Sequence, residues 1–128
     1  WSNISALTAS AIEYAYECNN NDINVSVKAI FIPNESWVKH TAKTPYILAH
    51  EQLHFDISEL FARRMRKKMA ETQFTKNIKA EVKVIYRKTL KNLNDFQNRY
   101  DNETDYSRNV PQQKVWIQKI EKALNESE

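Results

Sequence analysis

The chain has 128 residues, of which 41% are hydrophobic and 27% charged, with a formal net charge of +3. This length and composition predict one soluble globular domain over residues 1–128, and so small a charge does not by itself indicate a polyanionic partner. The presence of one Cys and no Gly excludes an internal disulfide framework, CxxC motifs and the glycine-rich loops that cradle nucleotide phosphates.

The first third of the chain alternates apolar and polar residues with a period of two, which is typical of β-strands with one face in water. A run of Asn and Asp residues at 19–22 interrupts the alternation, and Pro33 ends it. We therefore predict an antiparallel hairpin, joined by a short N-terminal element. The residues predicted to face inward are Ile12, Tyr14, Tyr16, Cys18, Ile23, Val25, Val27, Ala29 and Phe31.

The apolar period changes to 3.6 residues after Thr44, which is a cap residue preceding Pro45 at a first helical position. The pattern predicts a helix over residues 45–69, a second helix from near residue 74, and a third helix that Pro111 opens. The polar segment at 100–109 is predicted to be a loop. A β-hairpin or small sheet followed by three helices gives an α+β fold class.

An HExxH motif, His50-Glu51-Gln52-Leu53-His54, lies early in the first predicted helix. Residues at i and i+4 share one helix face, so both imidazoles can reach one metal ion. Glu51 lies about 100° round the helix, where it can face a water molecule instead of binding the metal. Zinc lowers the pKa of its water to about 7, and a neighbouring carboxylate can take the proton. The competing interpretation is a pair of interior histidines that neighbouring groups satisfy.

Catalytic zinc normally has three protein ligands, so the third must come from another segment. If the first two helices pack antiparallel, with the chain folding back near residues 70–74, the histidines meet residues 98–103 of the second helix. Five residues in or near this window, or in the loop before the first helix, remain candidates for the third ligand: Asp101, Glu103, Asp105, Tyr106 and His40.

The motif and its extension resemble the active-site helix of zincin metallopeptidases. In particular, HEQLHFDI at residues 50–57 and YDNETDYS at residues 100–107 resemble an uncharacterised bacterial family of zincin-like proteins with HEQxHFDI and YDxxTxHG motifs. Gln113 and Trp116 in the last helix also fit that pattern. The resemblance covers most of the chain, from the hairpin to the last helix, and implies a minimal zincin-like domain with a catalytic Zn²⁺.

The second motif departs from the family pattern, because Tyr106 and Ser107 stand where the family has His followed by Gly. If that histidine is the family's third ligand, it has been replaced here. Asp101 matches the family's aspartate and fits the helix register, so we prefer it as the third metal ligand; its alternative role is to orient His50 or His54. A catalytic role for Tyr106 would be to bind the metal or to donate a hydrogen bond to an oxyanion.

The leading hypothesis is a zinc-dependent metallopeptidase in which Glu51 is the general base. The resemblance to zincins implies that a peptide or protein substrate pairs with the sheet edge at Ala29–Ile32. The alternative hypothesis is an inactive zincin-like domain that serves as a binding or structural module. The basic run at residues 63–68 is typical of a solvated helix end, and we expect no nucleic-acid partner.

No apolar run approaches the roughly 20 residues of a membrane-spanning helix. We expect a monomer without a transmembrane segment. The given sequence begins at Trp1 without a signal peptide, and the resemblance to exported bacterial proteins implies a periplasmic or secreted location.

Overall fold

The computed structural model describes residues 6–19, 22–42 and 44–127. Two 3₁₀ turns, at Pro33–Glu35 and His40–Ala42, flank the last strand. The predicted α+β order, strands followed by three helices, is confirmed. In chain order the elements are β1 (Ala6–Leu7), β2 (Ser10–Asn19), β3 (Asp22–Phe31), β4 (Trp37–Val38), α1 (Pro45–Glu71), α2 (Ile78–Glu103) and α3 (Val110–Glu126).

Strands β2 and β3 form the predicted antiparallel hairpin. The middle of its inner face is buried, at Ile12 and Val27, which belong to the main core. The prediction is wrong for Cys18 and Phe31, whose side chains are exposed. Each lies at or next to the last pair at one end of the ladder, where fewer neighbours cover a side chain. Turn residues 20 and 21 lie outside the described residues.

Strand β1 pairs antiparallel with β4 in a second, two-stranded sheet. Two hydrogen bonds of 2.9 Å join this sheet to the hairpin: the Ile32 N–H donates to the Ala9 carbonyl, and the Ala9 N–H donates to the Ser36 hydroxyl. Thr8 lies between β1 and Ala9 in the sequence. This junction places it next to helix α1, where its hydroxyl contacts Glu51.

Helix α1 begins where the sequence predicts. Thr44 has an extended backbone, and its hydroxyl accepts the Ile47 N–H, which satisfies one of the unpaired donors of the first turn. The helix ends at Glu71 instead of residue 69, and α2 begins at Ile78 instead of near residue 74. Helix α3 begins at Val110, where the Asn109 side chain accepts the Gln112 N–H as an N-cap.

The loop predicted for residues 100–109 is wrong over its first part, because α2 continues to Glu103. Tyr100 is fully buried in the core, and this anchor keeps the polar residues that follow it in the last helical turn. Asp101 therefore lies on a helix instead of in a loop. The chain then turns at residues 104–108 before α3.

Helices α1 and α2 pack antiparallel, as predicted. His54 contacts Asp101 near the end of α2, whereas Met65, farther along α1, lies near Ile85 in the first part of α2. Within the described ranges, no helix is both long enough and apolar enough to span a membrane. The main core between the hairpin and the helices consists of Ile12, Val27, Leu53, Ile57, Leu60, Phe61, Ala62, Met65, Met69, Val82, Tyr100, Trp116 and Ile120.

Candidate metal centre

The two histidines of the HExxH motif lie one turn apart on the face of α1 that meets α2. The apolar stripe that buries Leu53 and Ile57 also carries them inward, and their side chains are only 2% (His50) and 13% (His54) exposed. Three possible ligand atoms lie within 4.8 Å of one another, one each from His50, Glu51 and His54. This group could hold a metal ion.

Asp101 reaches the two rings from the last turn of α2. Its Oδ1 lies 3.1 Å from His50 Nε2 and 2.6 Å from His54 Nε2. Two ligand atoms of a tetrahedral zinc ion, each bound at about 2.0–2.1 Å, lie about 3.3 Å apart. The 3.1 Å distance is close to this value and the 2.6 Å distance is shorter. Of the five candidates for the third ligand, Asp101 is the one that contacts both histidines.

Two other acidic candidates make contacts elsewhere. The Glu103 carboxylate accepts hydrogen bonds from Arg99 Nε over 2.7 Å and from Trp116 Nε1 over 3.1 Å. The Arg99 contact holds the pKa of Glu103 below its ordinary value. Asp105 is exposed, and its carboxylate lies 3.5 Å from the Arg108 guanidinium. Both side chains are thus engaged away from the histidines.

A glutamine amide from α2 orients His54. The His54 Nδ1–H donates to Gln97 Oε1 over 2.6 Å, and Gln97 Nε2 donates to the His54 carbonyl over 2.8 Å. The second bond fixes which end of the amide faces the ring. The ring proton therefore lies on Nδ1, and Nε2 presents its lone pair toward Asp101.

His50 is oriented in the same way by α3. Its Nδ1–H donates to Gln113 Oε1 over 2.7 Å, Gln113 Nε2 donates to the Tyr100 hydroxyl over 2.9 Å, and that hydroxyl donates to the His50 carbonyl over 2.9 Å. The Tyr100 ring also stacks on the imidazole, with centroids 4.4 Å apart. Burial raises the pKa of the Tyr100 phenol above its ordinary value, so the hydroxyl stays a donor.

These bonds leave three lone pairs facing one another, two on imidazole Nε2 atoms and one on the Asp101 carboxylate. A buried group of this kind requires a positive charge. Without a metal, a proton supplies it: burial disfavours the His54 imidazolium, but the hydrogen bond to Asp101 and its charge raise the pKa of His54 above its ordinary value. Burial raises the pKa of Asp101, yet the contacts of its carboxylate with the His50 and His54 rings outweigh burial and hold that pKa below its ordinary value.

Glu51 is held by a residue from the N-terminal segment. Thr8 Oγ1 donates to Glu51 Oε1 over 2.9 Å, across 43 positions of the sequence. The other carboxylate oxygen, Oε2, lies 4.0 Å from His50 Nε2, and Glu51 lines the neighbouring cavity, so this oxygen can accept a proton from a molecule there. The motif identified Glu51, but nothing local in the sequence pointed to Thr8.

A cavity of about 60 Å³ adjoins these groups, which is room for a small number of water molecules. Tyr106 and Ser107 line it together with the motif residues and Asp101. They reach it because Asp105, Tyr106 and Ser107 have positive φ angles of 48°, 52° and 87° and turn the chain back over the end of α2. His40, the remaining candidate ligand, is exposed in the 3₁₀ turn before α1.

The basic run near the end of α1 is partly engaged within the chain. Arg63 Nε lies 2.6 Å from a Glu59 carboxylate oxygen, and its guanidinium also donates to the Leu124 carbonyl over 2.9 Å. Arg66 donates to the Val27 carbonyl of β3. These residues thus stabilise the packing of α1 on the hairpin and on α3.

The fold and the site together define an α+β domain with a candidate metal-binding group on its first long helix. Residues 3–108 match the sequence profile described as "Bacterial protein of unknown function (DUF922)", and the chain belongs to that family. The match includes α1, α2 and the turn that carries Tyr106, and the expected uncharacterised bacterial family is confirmed to this extent. Neither the curated proteins nor the solved structures include a significant match.

Proposed function

We propose that this protein is a zinc-dependent metallopeptidase. His50, His54 and Asp101 bind the metal, and Glu51 is the general base. The observation that carries the proposal is the convergence of two imidazole Nε2 atoms on one Asp101 oxygen, at 3.1 and 2.6 Å, beside the Glu51 carboxylate, whose Oε2 lies 4.0 Å from His50 Nε2.

The donor set supports zinc as the metal. Two imidazole nitrogens and one carboxylate oxygen form a usual protein ligand set of catalytic zinc, and they leave a further position for water or substrate. Asp101 and Glu51 each carry one negative charge when ionised, so a divalent ion makes the group neutral overall. The orientation of both rings by Nδ1–H bonds is what a ligand pair that uses Nε2 requires.

Zinc bound there would polarise a substrate carbonyl and lower the pKa of a water molecule to about 7. Glu51 Oε2 would accept the proton of that water as it attacks and would then deliver it to the leaving amine. The Thr8 bond holds Oε1, which fixes the carboxylate for this transfer. Tyr106, 38% exposed at the edge of the cavity, would donate to the carbonyl oxygen as it becomes negative.

The second candidate function is a zincin-like module that binds a partner without hydrolysis. The observation that favours it is the pair Tyr106 and Ser107, which stand where the resembled family has His and Gly. In that case Asp101 and the histidines would hold a structural metal ion and Glu51 would have no proton to transfer.

A substitution of Glu51 separates these functions. Glu51→Gln keeps the size of the side chain and its bond to Thr8 but cannot take a proton. We expect the variant to retain one zinc per chain by mass spectrometry and to hydrolyse fluorogenic peptides about 10²–10⁴-fold more slowly than the unmodified chain. Glu71→Gln, an exposed change at the end of the same helix, is the matched control and should leave the rate unchanged.

Two results would contradict the proposed function or the role of Glu51 in it. Hydrolysis that persists at full rate in Glu51→Gln would remove this residue as the base. Zinc binding by the unmodified chain without cleavage of any peptide in a broad library would favour the binding module.

A further inference from the structure

A second cavity, of about 600 Å³, lies beside the metal centre between β1, β4, the 3₁₀ turn after β3 and the outer face of α1. We call it the apolar groove. Its size falls within the range of about 300–1,000 Å³ typical of small-ligand sites in proteins. It is distinct from the 60 Å³ cavity that adjoins the histidines.

Large apolar side chains on the groove are exposed to water. Leu7 is 44%, Phe31 51%, Trp37 40% and Leu48 51% exposed, and all four line it. Single exposed apolar residues are ordinary on a protein surface, but a contiguous group of them marks a binding site. Among the described residues that line the groove, Glu51 alone is ionisable, so the groove favours an uncharged occupant.

The groove is continuous with the candidate metal centre. Leu7, Thr8 and Glu51 line both cavities. Leu48 and Glu51 are three residues apart on α1 and therefore neighbours on its surface. A molecule lying in the groove would reach the same carboxylate that the proposed reaction uses.

We propose that the apolar groove binds the residue of an extended peptide substrate that adjoins the cleaved bond, and that it selects a large apolar side chain. The peptide identity of the ligand rests on the proposed function. The sheet edge Ala29–Ile32 was predicted to pair with the substrate. Phe31 of this edge lines the groove, whereas the Ile32 N–H already donates to the Ala9 carbonyl. The groove therefore contributes side-chain contacts at this edge, not a free donor from Ile32.

The test measures binding apart from cleavage. Zinc-loaded Glu51→Gln is titrated with dye-labelled hexapeptides that are identical except at one central position, which is Leu, Phe, Ala, Asp or Lys, and anisotropy reports binding. We expect the Leu and Phe peptides to bind at least tenfold more tightly than the Asp and Lys peptides, equivalent to about 1.4 kcal/mol. Adding Leu48→Glu should remove this preference, because it places a charge among the apolar side chains.

Leu48 and the control position Val84 are both exposed, so neither Leu48→Glu nor Val84→Glu should unfold the chain. Val84→Glu, on α2 at a residue that is 66% exposed and outside the groove, should leave the preference intact. Equal binding of all five peptides, or a preference that survives Leu48→Glu, would overturn the proposal. Decanoate binding more tightly than the Leu peptide, with the same loss in Leu48→Glu, would assign the groove to an acyl chain and would also overturn it.

The two proposals fail separately. If the unmodified zinc-loaded chain binds apolar peptides selectively but hydrolyses none, the proposed function is refuted and the apolar groove stands. If it hydrolyses all five peptides at equal rates and with equal affinity, the peptidase stands and the groove proposal is refuted.

Discussion

In the turn after α2, three consecutive residues lie in the left-handed region of φ, and none of them is glycine. Asp105, Tyr106 and Ser107 have φ angles of 48°, 52° and 87°. Asp tolerates this region because its side chain can bond to the local backbone, but Tyr and Ser each adopt it at a cost of about 1 kcal/mol or more. The Tyr106 N–H donates to the Asp101 carbonyl over 2.9 Å. The turn therefore fixes the backbone of Tyr106 relative to the candidate ligand.

Replacing Ser107 by Gly should relieve part of this strain. Glycine adopts positive φ without a Cβ clash, and this gain of about 1–2 kcal/mol exceeds the roughly 0.5–1 kcal/mol that its greater freedom in the unfolded chain costs. We expect Ser107→Gly to raise the free energy of unfolding by about 0.5–1 kcal/mol in urea titrations. Ser26→Gly, at an exposed position of β3, should lower it by a similar amount. A destabilised Ser107→Gly would contradict the strain argument.

Single residues were predictable where their chemistry depends on local spacing. His50, Glu51 and His54 follow from the i, i+4 geometry of one helix, and their burial follows from the apolar stripe around them. The role of Thr8 was not predictable, because its contact with Glu51 spans 43 positions and depends on how β1 joins the hairpin. A threonine between two short apolar runs carries no local signal of that role.

All three helices meet at the candidate metal centre. Helix α1 supplies the imidazoles, α2 supplies Asp101 and Gln97, and α3 supplies Gln113. Both partners of the histidine Nδ1 atoms are neutral amides. Because Asp101 and Glu51 would already balance a bound divalent ion, carboxylates in place of the amides would leave a net negative charge in a largely buried group. The amides orient the rings without adding that charge.

Removing one amide should weaken metal binding while leaving the helices in place. Gln113→Leu keeps a side chain of similar size at a fully buried position of α3 but cannot accept the His50 Nδ1–H. Loss of such an outer partner typically lowers metal affinity 10–100-fold, and we expect a loss in that range in competition with a fluorescent zinc chelator. Gln118→Leu, an exposed change on the same helix, should leave the affinity unchanged.

The tautomer of His50 distinguishes a positioning role of Gln113 from a purely structural one. In the metal-free protein, ring ¹⁵N shifts of His50 should report a proton on Nδ1 in the unmodified chain and a mixture of tautomers in Gln113→Leu. Unchanged shifts together with unchanged zinc affinity would show that the amide does not position the imidazole.

The helices were predictable in number and order, but not at every end. The start of α1 was predictable from Thr44 and Pro45, because capping depends on adjacent residues. The end of α2 was not, since the polar residues after Tyr100 resemble a loop in the sequence and remain helical because Tyr100 is anchored in the core. Phe31 was predicted inward from strand alternation, which cannot show where the helical layer stops covering the hairpin.

The candidate metal centre borders the hydrophobic core at Tyr100, a core residue whose ring stacks on His50. Most core side chains lie between the hairpin and the helices, at residues such as Ile57, Leu60 and Val82, which are at most 1% exposed. The metal centre lies where the end of α2 meets the second turn of α1. We therefore expect the chain to fold on its core without a metal, and metal binding would add a link between α1 and α2.

That link predicts a stability that depends on zinc. A ligand that binds only the folded chain, at a free concentration 100 times its dissociation constant, adds about 2.7 kcal/mol, which for a domain of this size raises Tm by about 10 °C. Scanning calorimetry with and without zinc should show this rise, and a chelator should reverse it. Asp101→Ala should lose most of the rise because it removes the ligand that α2 is proposed to supply, whereas Asp95→Ala, an exposed change on the same helix, should keep it. A full rise in Asp101→Ala would mean that zinc binds without joining the two helices, and the proposed ligand set would be wrong.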